Sequence, residues 1–261
     1  MDKQKVRQHF SSIANVYDKF ASPQKKWGDR LISSIDGGDS STVRAVLDIG
    51  MGTGSMALEL SKIFRNAKIY GCDFSASMIE CAKNKIKKDS RNAARKFVFA
   101  ESDFENMPYK DDFFEVAFSN MSLQWSSNLK TALKEALRVV KKGGNFYFTI
   151  PGRRTLREIK KLFEDNSIKW DATHNFTDKK SLTALLEEAG LEKHSIDISE
   201  EQLSFRDFLT FINWLKLTGA NTGVDTGMSG LSAGKKLIEL NRKNTSKFRV
   251  TFEILFVRAV K

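Results

Sequence analysis

Cysteine, proline and long uncharged stretches are all scarce in this chain. The two cysteines, Cys72 and Cys81, have no second Cys or His at ligand spacing. That pattern argues against a disulfide framework and against a thiolate zinc site, and it suits a reducing compartment. With three prolines in 261 residues, and no Pro-rich, Gly/Ser-rich or repeated tract, nothing reads as an interdomain linker. One globular unit over residues 1–261 is expected. No stretch reaches the roughly 18 uncharged apolar residues that a spanning helix needs. The first ten residues mix Asp2, Lys3, Lys5 and Arg7 with no apolar run, so they read as neither a signal peptide nor an anchor. A cytoplasmic location is the expectation. Apolar residues make up 41% of the chain, enough for a sizeable core and against disorder. Positive charge is in excess. A net charge of +11 implies affinity for something acidic, and nucleic acid, an anionic membrane surface and an acidic protein are all admissible.

Periodicity organises the chain. Val6, Phe10, Ile13 and Tyr17, then Trp27, Leu31 and Ile35 after Pro23, recur at helical steps, so Lys3 to Ile35 reads as helical. Gly37 and Gly38 mark a turn. Strands are expected at 43–49, 68–72, 97–100, 114–119 and 145–150, with helices at 56–64, 77–88 and 129–140 between them. Gly143 and Gly144 are read as closing the last of these helices. Strands alternating with helices give βαβ units and a parallel sheet covered on both faces. The predicted fold is therefore α/β: a doubly wound, mostly parallel, seven-stranded Rossmann-like sheet with N-terminal helices. Residues 43–150 form its ligand-binding core, preceded by an N-terminal segment, 1–42, and followed by a second half, 151–261. Beyond Pro151, helices are expected at 157–166, 179–189 and 205–217, with a strand at 194–198. A Gly-rich loop at 219–230, a helix at 232–241 and a final strand at 248–260 complete the chain. The material between the last two strands, about 200–245, reads as an inserted helical cap.

The chemistry concentrates where the first strand meets the first βα helix, in Val46-Leu47-Asp48-Ile49-Gly50-Met51-Gly52-Thr53-Gly54. Glycines there let backbone approach a ligand, and a helix N-terminus offers free N–H groups. Gly50, Gly52 and Gly54 alone are a weak signal, because several nucleotide-binding folds use such turns. Asp73 ends the second strand, where a carboxylate can accept both ribose hydroxyls. Asp103 follows the third strand and could accept from an adenine amino group, with Phe104 against the ring. The later third glycine of a pyrophosphate fingerprint is missing, and so is any Gly-Lys-Ser/Thr. A ligand without phosphates fits better, such as S-adenosylmethionine, whose amino acid tail Asp48 is placed to orient.

Further segments carry a resemblance. They are Phe10-Ser11-Ser12-Ile13-Ala14-Asn15-Val16-Tyr17-Asp18, Ala21 to Gln24, Asp73-Phe74-Ser75-Ala76-Ser77-Met78, Ser119 to Trp125, Gly152 to Ile159 and Leu215-Lys216-Leu217-Thr218-Gly219-Ala220. Nearly end to end, the chain resembles the malonyl-acyl carrier protein O-methyltransferases of biotin synthesis, within the class I methyltransferases. Met51 stands where Cys is more usual in that family. The resemblance implies methyl transfer from S-adenosylmethionine to the free carboxylate of a malonyl thioester on an acidic acyl carrier protein. No metal, nucleic acid or membrane is involved in that reaction. It adds Tyr17, Gln24, Phe74, Met78 and Asn120 to the cofactor contacts, and Gln124 and Trp125 to the substrate pocket. Arg153 and Arg154, just past the fifth strand, are the candidates for a clamp on the carboxylate, with Tyr17 closing over the site. A methyltransferase for a quinone or other small metabolite shares the same cofactor half. A nucleic-acid methyltransferase suits the high pI, but Ser119-Asn120-Met121-Ser122 stands where an Asn/Asp-Pro-Pro-Tyr would be expected. A non-catalytic cofactor binder is the remaining alternative.

Overall fold

The apolar runs of the sequence become strands wherever they can be covered on two faces. The computed structural model describes residues 2–35, 40–89, 96–166, 171–172, 176–191, 193–219, 224–225, 238–242 and 247–261. Its sheet contains β1 (Ala45–Ile49), β2 (Lys68–Asp73), β3 (Phe97–Glu101), β4 (Phe114–Asn120), β5 (Val140–Pro151), β7 (Lys193–Phe205) and β9 (Phe248–Val260). Their order is β3-β2-β1-β4-β5-β9-β7. The first five strands are mutually parallel, and β9 runs antiparallel to both β5 and β7. The doubly wound, mostly parallel, seven-stranded prediction therefore holds. All five residues of β1 are buried, as expected for a central parallel strand covered on both sides.

Successive side chains of β1 point into different cores. Leu47 and Ile49 pack with Leu133, Leu137, Leu182 and Leu186 from α6 (Leu129–Val139) and α8 (Lys179–Glu188). Val46 faces Trp27, Leu31, Met56 and Leu60 from α3 (Ser22–Ser33) and α4 (Ser55–Ile63). In α6, Leu129, Ala132, Leu133, Ala136 and Leu137 are buried, and Asn128 caps its first turn by accepting from the Thr131 N–H. Chain order reverses between β1 and β4, so the crevice at a topological switch point opens at their carboxyl ends.

The structure departs from the sequence reading in five places. The N-terminal helical segment is three helices, α1 (Lys3–Ile13), α2 (Tyr17–Phe20) and α3. Pro23 lies in the first turn of α3 and restarts the helix there. Strand β5 begins at Val140, where a helix end was expected. Val140 pairs with Phe114 across an irregularity, and Gly143 passes through φ +75° within the strand instead of ending a helix. Strand β7 runs to Phe205 and takes six residues, 200–205, from the expected cap. Only Ile196 along it is fully buried, so an edge strand with mostly polar side chains showed little alternation. The two-stranded pair β6 (Asp171–Ala172) and β8 (Val224–Asp225) was not foreseen. The connection from β7 to β9 carries α9 (Phe208–Leu217), capped by the Asp207 carboxylate, one turn later than predicted. Gly37, Gly38, most of the 219–230 loop and most of the 232–241 helix lie outside the described residues. Among the described residues, no helix is long and apolar enough to cross a membrane.

Candidate functional site

At the end of β1 the chain turns through Gly50, Gly52 and Gly54, with φ of +65°, +54° and +75°. Side-chain-bearing residues avoid that region. At Gly50 space is limiting as well, because a Cβ would sit 2.5 Å from the Ser122 Cβ. The Ser122 hydroxyl donates to the Gly50 carbonyl at 2.9 Å, which ties the loop to the turn after β4. Gly54 caps α4 with no side chain of its own, and the Gly52 N–H donates to Asp73 Oδ2 at 2.9 Å. The Ser75 N–H holds Asp73 Oδ1 at 2.9 Å. The β2 carboxylate is thus oriented by two backbone amides before any ligand arrives.

A cavity of about 410 Å³ opens over these turns, within the size range of small-molecule sites. Asp48, Gly50, Met51, Gly52, Asp73, Phe74, Met78 and Phe104 line one end. Asn120, Met121, Gln124 and Trp125 lie beyond the end of β4, and Tyr17 and Gln24 come from the N-terminal helices. Asp48 is 1% exposed. Burial, with repulsion from Asp73, pushes its carboxyl up to about 8, and its Oδ2 has no hydrogen-bond partner. Burial raises Asp73 to about 6, against the lowering effect of the Ser75, Gly52 and Phe74 N–H groups. Two buried carboxyls with an unfilled acceptor suit a ligand that brings hydroxyl donors and positive charge. The Tyr17 phenol is raised by burial and the nearby Asp18 and Asp73, so it remains a neutral O–H. Asp18 accepts from the Thr53 hydroxyl at 2.6 Å and pairs with Lys85 at 2.7 Å, pinning α2 to the glycine loop. Among the described residues, no three His, Cys, Asp or Glu side chains cluster as a metal site would require.

Residues 47–148 match the methyltransferase domain family. The chain is 28% identical to a malonyl-[acyl-carrier protein] O-methyltransferase of Geobacter sulfurreducens, across 95% of this chain and 92% of that protein. Its fold is similar to that of the YcgJ protein of Bacillus subtilis, with a TM-score of 0.61, 17% identity and coverage of 85% and 95% of the two chains. It is also similar to a phosphoethanolamine N-methyltransferase of Haemonchus contortus in complex with S-adenosyl-L-methionine. There the TM-score is 0.55 and the identity 18%, over 90% of this chain and 52% of that one.

The fold brings most of the sequence-nominated residues to one cavity, with four exceptions. Gly54 shapes the loop without lining the cavity. Asp103 does not line it either. Its carboxylate is bound to Lys3 at 2.6 Å and to the Glu105 N–H at 2.9 Å, and Lys3 also binds Glu105, so the acid expected to meet adenine instead anchors α1. Arg153 and Arg154 stand outside as well. The chain beyond β5 is turned by the Gly152 N–H donating to the Glu253 carbonyl at 2.7 Å and by a bridge between Gly152 and Thr177. Both guanidinium groups end at the surface, Arg153 on Asp178 at 2.9 Å and Arg154 on Glu200 at 2.6 Å, with 65% and 60% of the side chain exposed. The expected arginine clamp is not present in this arrangement. Sequence reasoning missed Phe10, whose ring meets Trp125 edge-on at 5.5 Å, and Trp27, Leu156, Phe176, Thr218 and Phe252, which also line the cavity. Phe10 and Thr218 lay in segments already singled out. Trp27 and Phe252 looked like ordinary core residues.

Proposed function

We propose that the protein transfers a methyl group from S-adenosylmethionine to the free carboxylate of malonyl-acyl carrier protein, giving the methyl ester used as a primer for pimelate and biotin synthesis. One observation carries the reading. A single cavity runs from the buried acids at the ends of β1 and β2 to Pro151, Leu156 and Phe252 at the ends of β5 and β9, so a donor at one end and an acceptor at the other share one chamber. The choice of acceptor is supported by similarity along 95% of the chain to a protein named for that substrate.

The residues present fit such a donor. Asp73, already held by two amides, accepts the ribose hydroxyls. Asp48 Oδ2, buried without a partner, accepts from the ammonium of the amino acid tail, and Phe74 and Phe104 pack against the adenine. When bound, the donor's sulfonium supplies a methyl group to the carboxylate oxygen, leaving a neutral thioether and a neutral ester. A malonyl carboxylate is already ionised near neutral pH, so the chain needs no general base. Its work is to align the two partners and exclude water. Tyr17, Phe10 and Trp125, packed ring on ring, close the mouth to do so. The +11 net charge steers an acidic carrier protein toward the enzyme in the cytoplasm.

Mass spectrometry of malonyl carrier protein after incubation with enzyme and donor tests the reading. A gain of one methyl that an esterase removes supports it. Modification of free metabolites or RNA, with the carrier protein left untouched, would overturn it.

A further inference from the structure

Two side chains of α3 line the cavity with buried polar atoms that have no hydrogen-bond partner, Trp27 Nε1 and Gln24 Oε1. They are three residues apart on one helix and so share a face. Trp27 is completely buried and Gln24 is 9% exposed. A donor and an amide left unmatched in the interior cost free energy that a ligand could recover. Their place in the fold indicates which ligand. The Trp27 ring lies 5.5 Å from that of Phe252 on β9, and the Gln24 backbone carbonyl accepts from Asn120 Nδ2 at 2.9 Å, at the end of β4. These contacts set the pair toward β4 and β9 in the cavity that the acids at the ends of β1 and β2 also line. Gln24, expected among the cofactor contacts, is open to the acceptor from this position.

No cation reaches into this end from the described residues that line it. The one lysine among them, Lys25, is exposed and pairs with Asp29 at 2.7 Å, and the two arginines past β5 face outward. An anion entering here meets neutral donors only. We infer that the Trp27 indole N–H, seconded by the Gln24 amide, holds the acceptor carboxylate. A half-turn of the Gln24 amide presents Nε2 in place of Oε1.

Neutral donors suit this chemistry better than a guanidinium. The carboxylate loses its charge as it becomes an ester, and a full positive charge would stabilise the starting state more than the transition state. A single fixed N–H can bind one oxygen and leave the other free to attack. It also sets specificity, because an acyl group ending in methyl leaves the indole donor unmatched.

The inference rests on the acceptor proposed above, and the experiment separates the two. Full-length Trp27→Phe keeps an aromatic ring and removes the donor. Its kcat/KM for malonyl carrier protein is expected to fall about ten- to a hundredfold, the loss typical of a hydrogen bond to a charged group. Calorimetric affinity for S-adenosylmethionine, and competitive inhibition by acetyl carrier protein, which lacks the carboxylate, should stay within about twofold of wild type. A variant with undiminished kcat/KM, or one that loses donor affinity or acetyl-carrier inhibition in the same proportion, overturns the role. If Trp27→Phe does not fold by circular dichroism, Gln24→Glu decides. Its added negative charge should abolish malonyl methylation with donor binding intact, and unchanged malonyl kinetics would overturn the inference. A wild-type protein that binds donor but leaves malonyl carrier protein unmethylated sinks the acceptor reading and this role together. An active wild type with a fully active Trp27→Phe sinks this role alone.

Discussion

The two ends of the cavity are built in different ways. At the donor end, backbone does most of the work. Three left-handed glycines, a helix terminus and one strand end held by two amides fall within residues 48–75, and their spacing sets the geometry. At the acceptor end, side chains do the work, and they arrive from α1, α3, the turn after β4, the segment after β5, α9 and β9. A site made by local backbone is rigid and tolerates few substitutions. A site gathered from distant side chains can change its ligand by changing one residue.

Asp73→Ala offers the largest test of this contrast. It removes the proposed acceptor for the ribose hydroxyls and leaves the Gly52 and Ser75 N–H groups unmatched. Donor affinity measured by calorimetry should fall about a hundredfold or more, at the strong end of charged hydrogen bonds. A loss under about threefold would mean that the donor end is not organised around this carboxylate. Gly50→Ala should act next most strongly, and through the fold. A Cβ at φ +65° that also meets Ser122 should cost about 2 kcal/mol, read as a lower denaturation midpoint. The same change at Gly52, where no atom lies within 4 Å of the added Cβ, should cost less, since only the backbone strain remains.

Asp48 gives a test in pH. Its carboxyl is raised to about 8 in the folded chain by burial and by Asp73, and it ionises near 4 when unfolded. Between those values the folded state holds a proton that the unfolded state has released. Stability without ligand therefore declines as pH rises from about 4 to about 8, then levels. Affinity for a cationic donor should run the other way and rise several-fold over pH 6 to 8 as the carboxyls ionise. Asp48→Asn should flatten both slopes. A wild-type affinity independent of pH would show that Asp48 carries no charge toward the ligand.

The same contrast explains what could be read from the sequence. The strands and βα turns of the donor end were legible because each signal is local: an apolar run, a glycine spacing, an acid at a fixed offset. Asp103 looked like the third member of that series, but nothing local records that Lys3, a hundred positions earlier, has taken its carboxylate. Strand β7 was cut short because an edge strand exposes polar residues on most positions. Trp27 was legible only as a helical apolar residue. Its proposed role rests on an unmatched nitrogen on a residue that lines the cavity, beside β9, which arrives some 225 residues later in the chain.

The smallest expected effect concerns Arg153 and Arg154, which sequence position nominated for the acceptor. Each is more than half exposed and ion-paired at the surface, with Asp178 and Glu200, and such pairs contribute about 0–1 kcal/mol. Neither guanidinium lines the cavity. Changing either to Ala should leave kcat/KM for malonyl carrier protein within about threefold of wild type at physiological salt. The residual effect should shrink as salt is raised, because it would come from steering an acidic partner. A loss of fiftyfold or more that persists at high salt would mean that one arginine swings inward when substrate binds. The acceptor end would then be cationic, and the neutral-donor account of Trp27 would give way to a charged clamp.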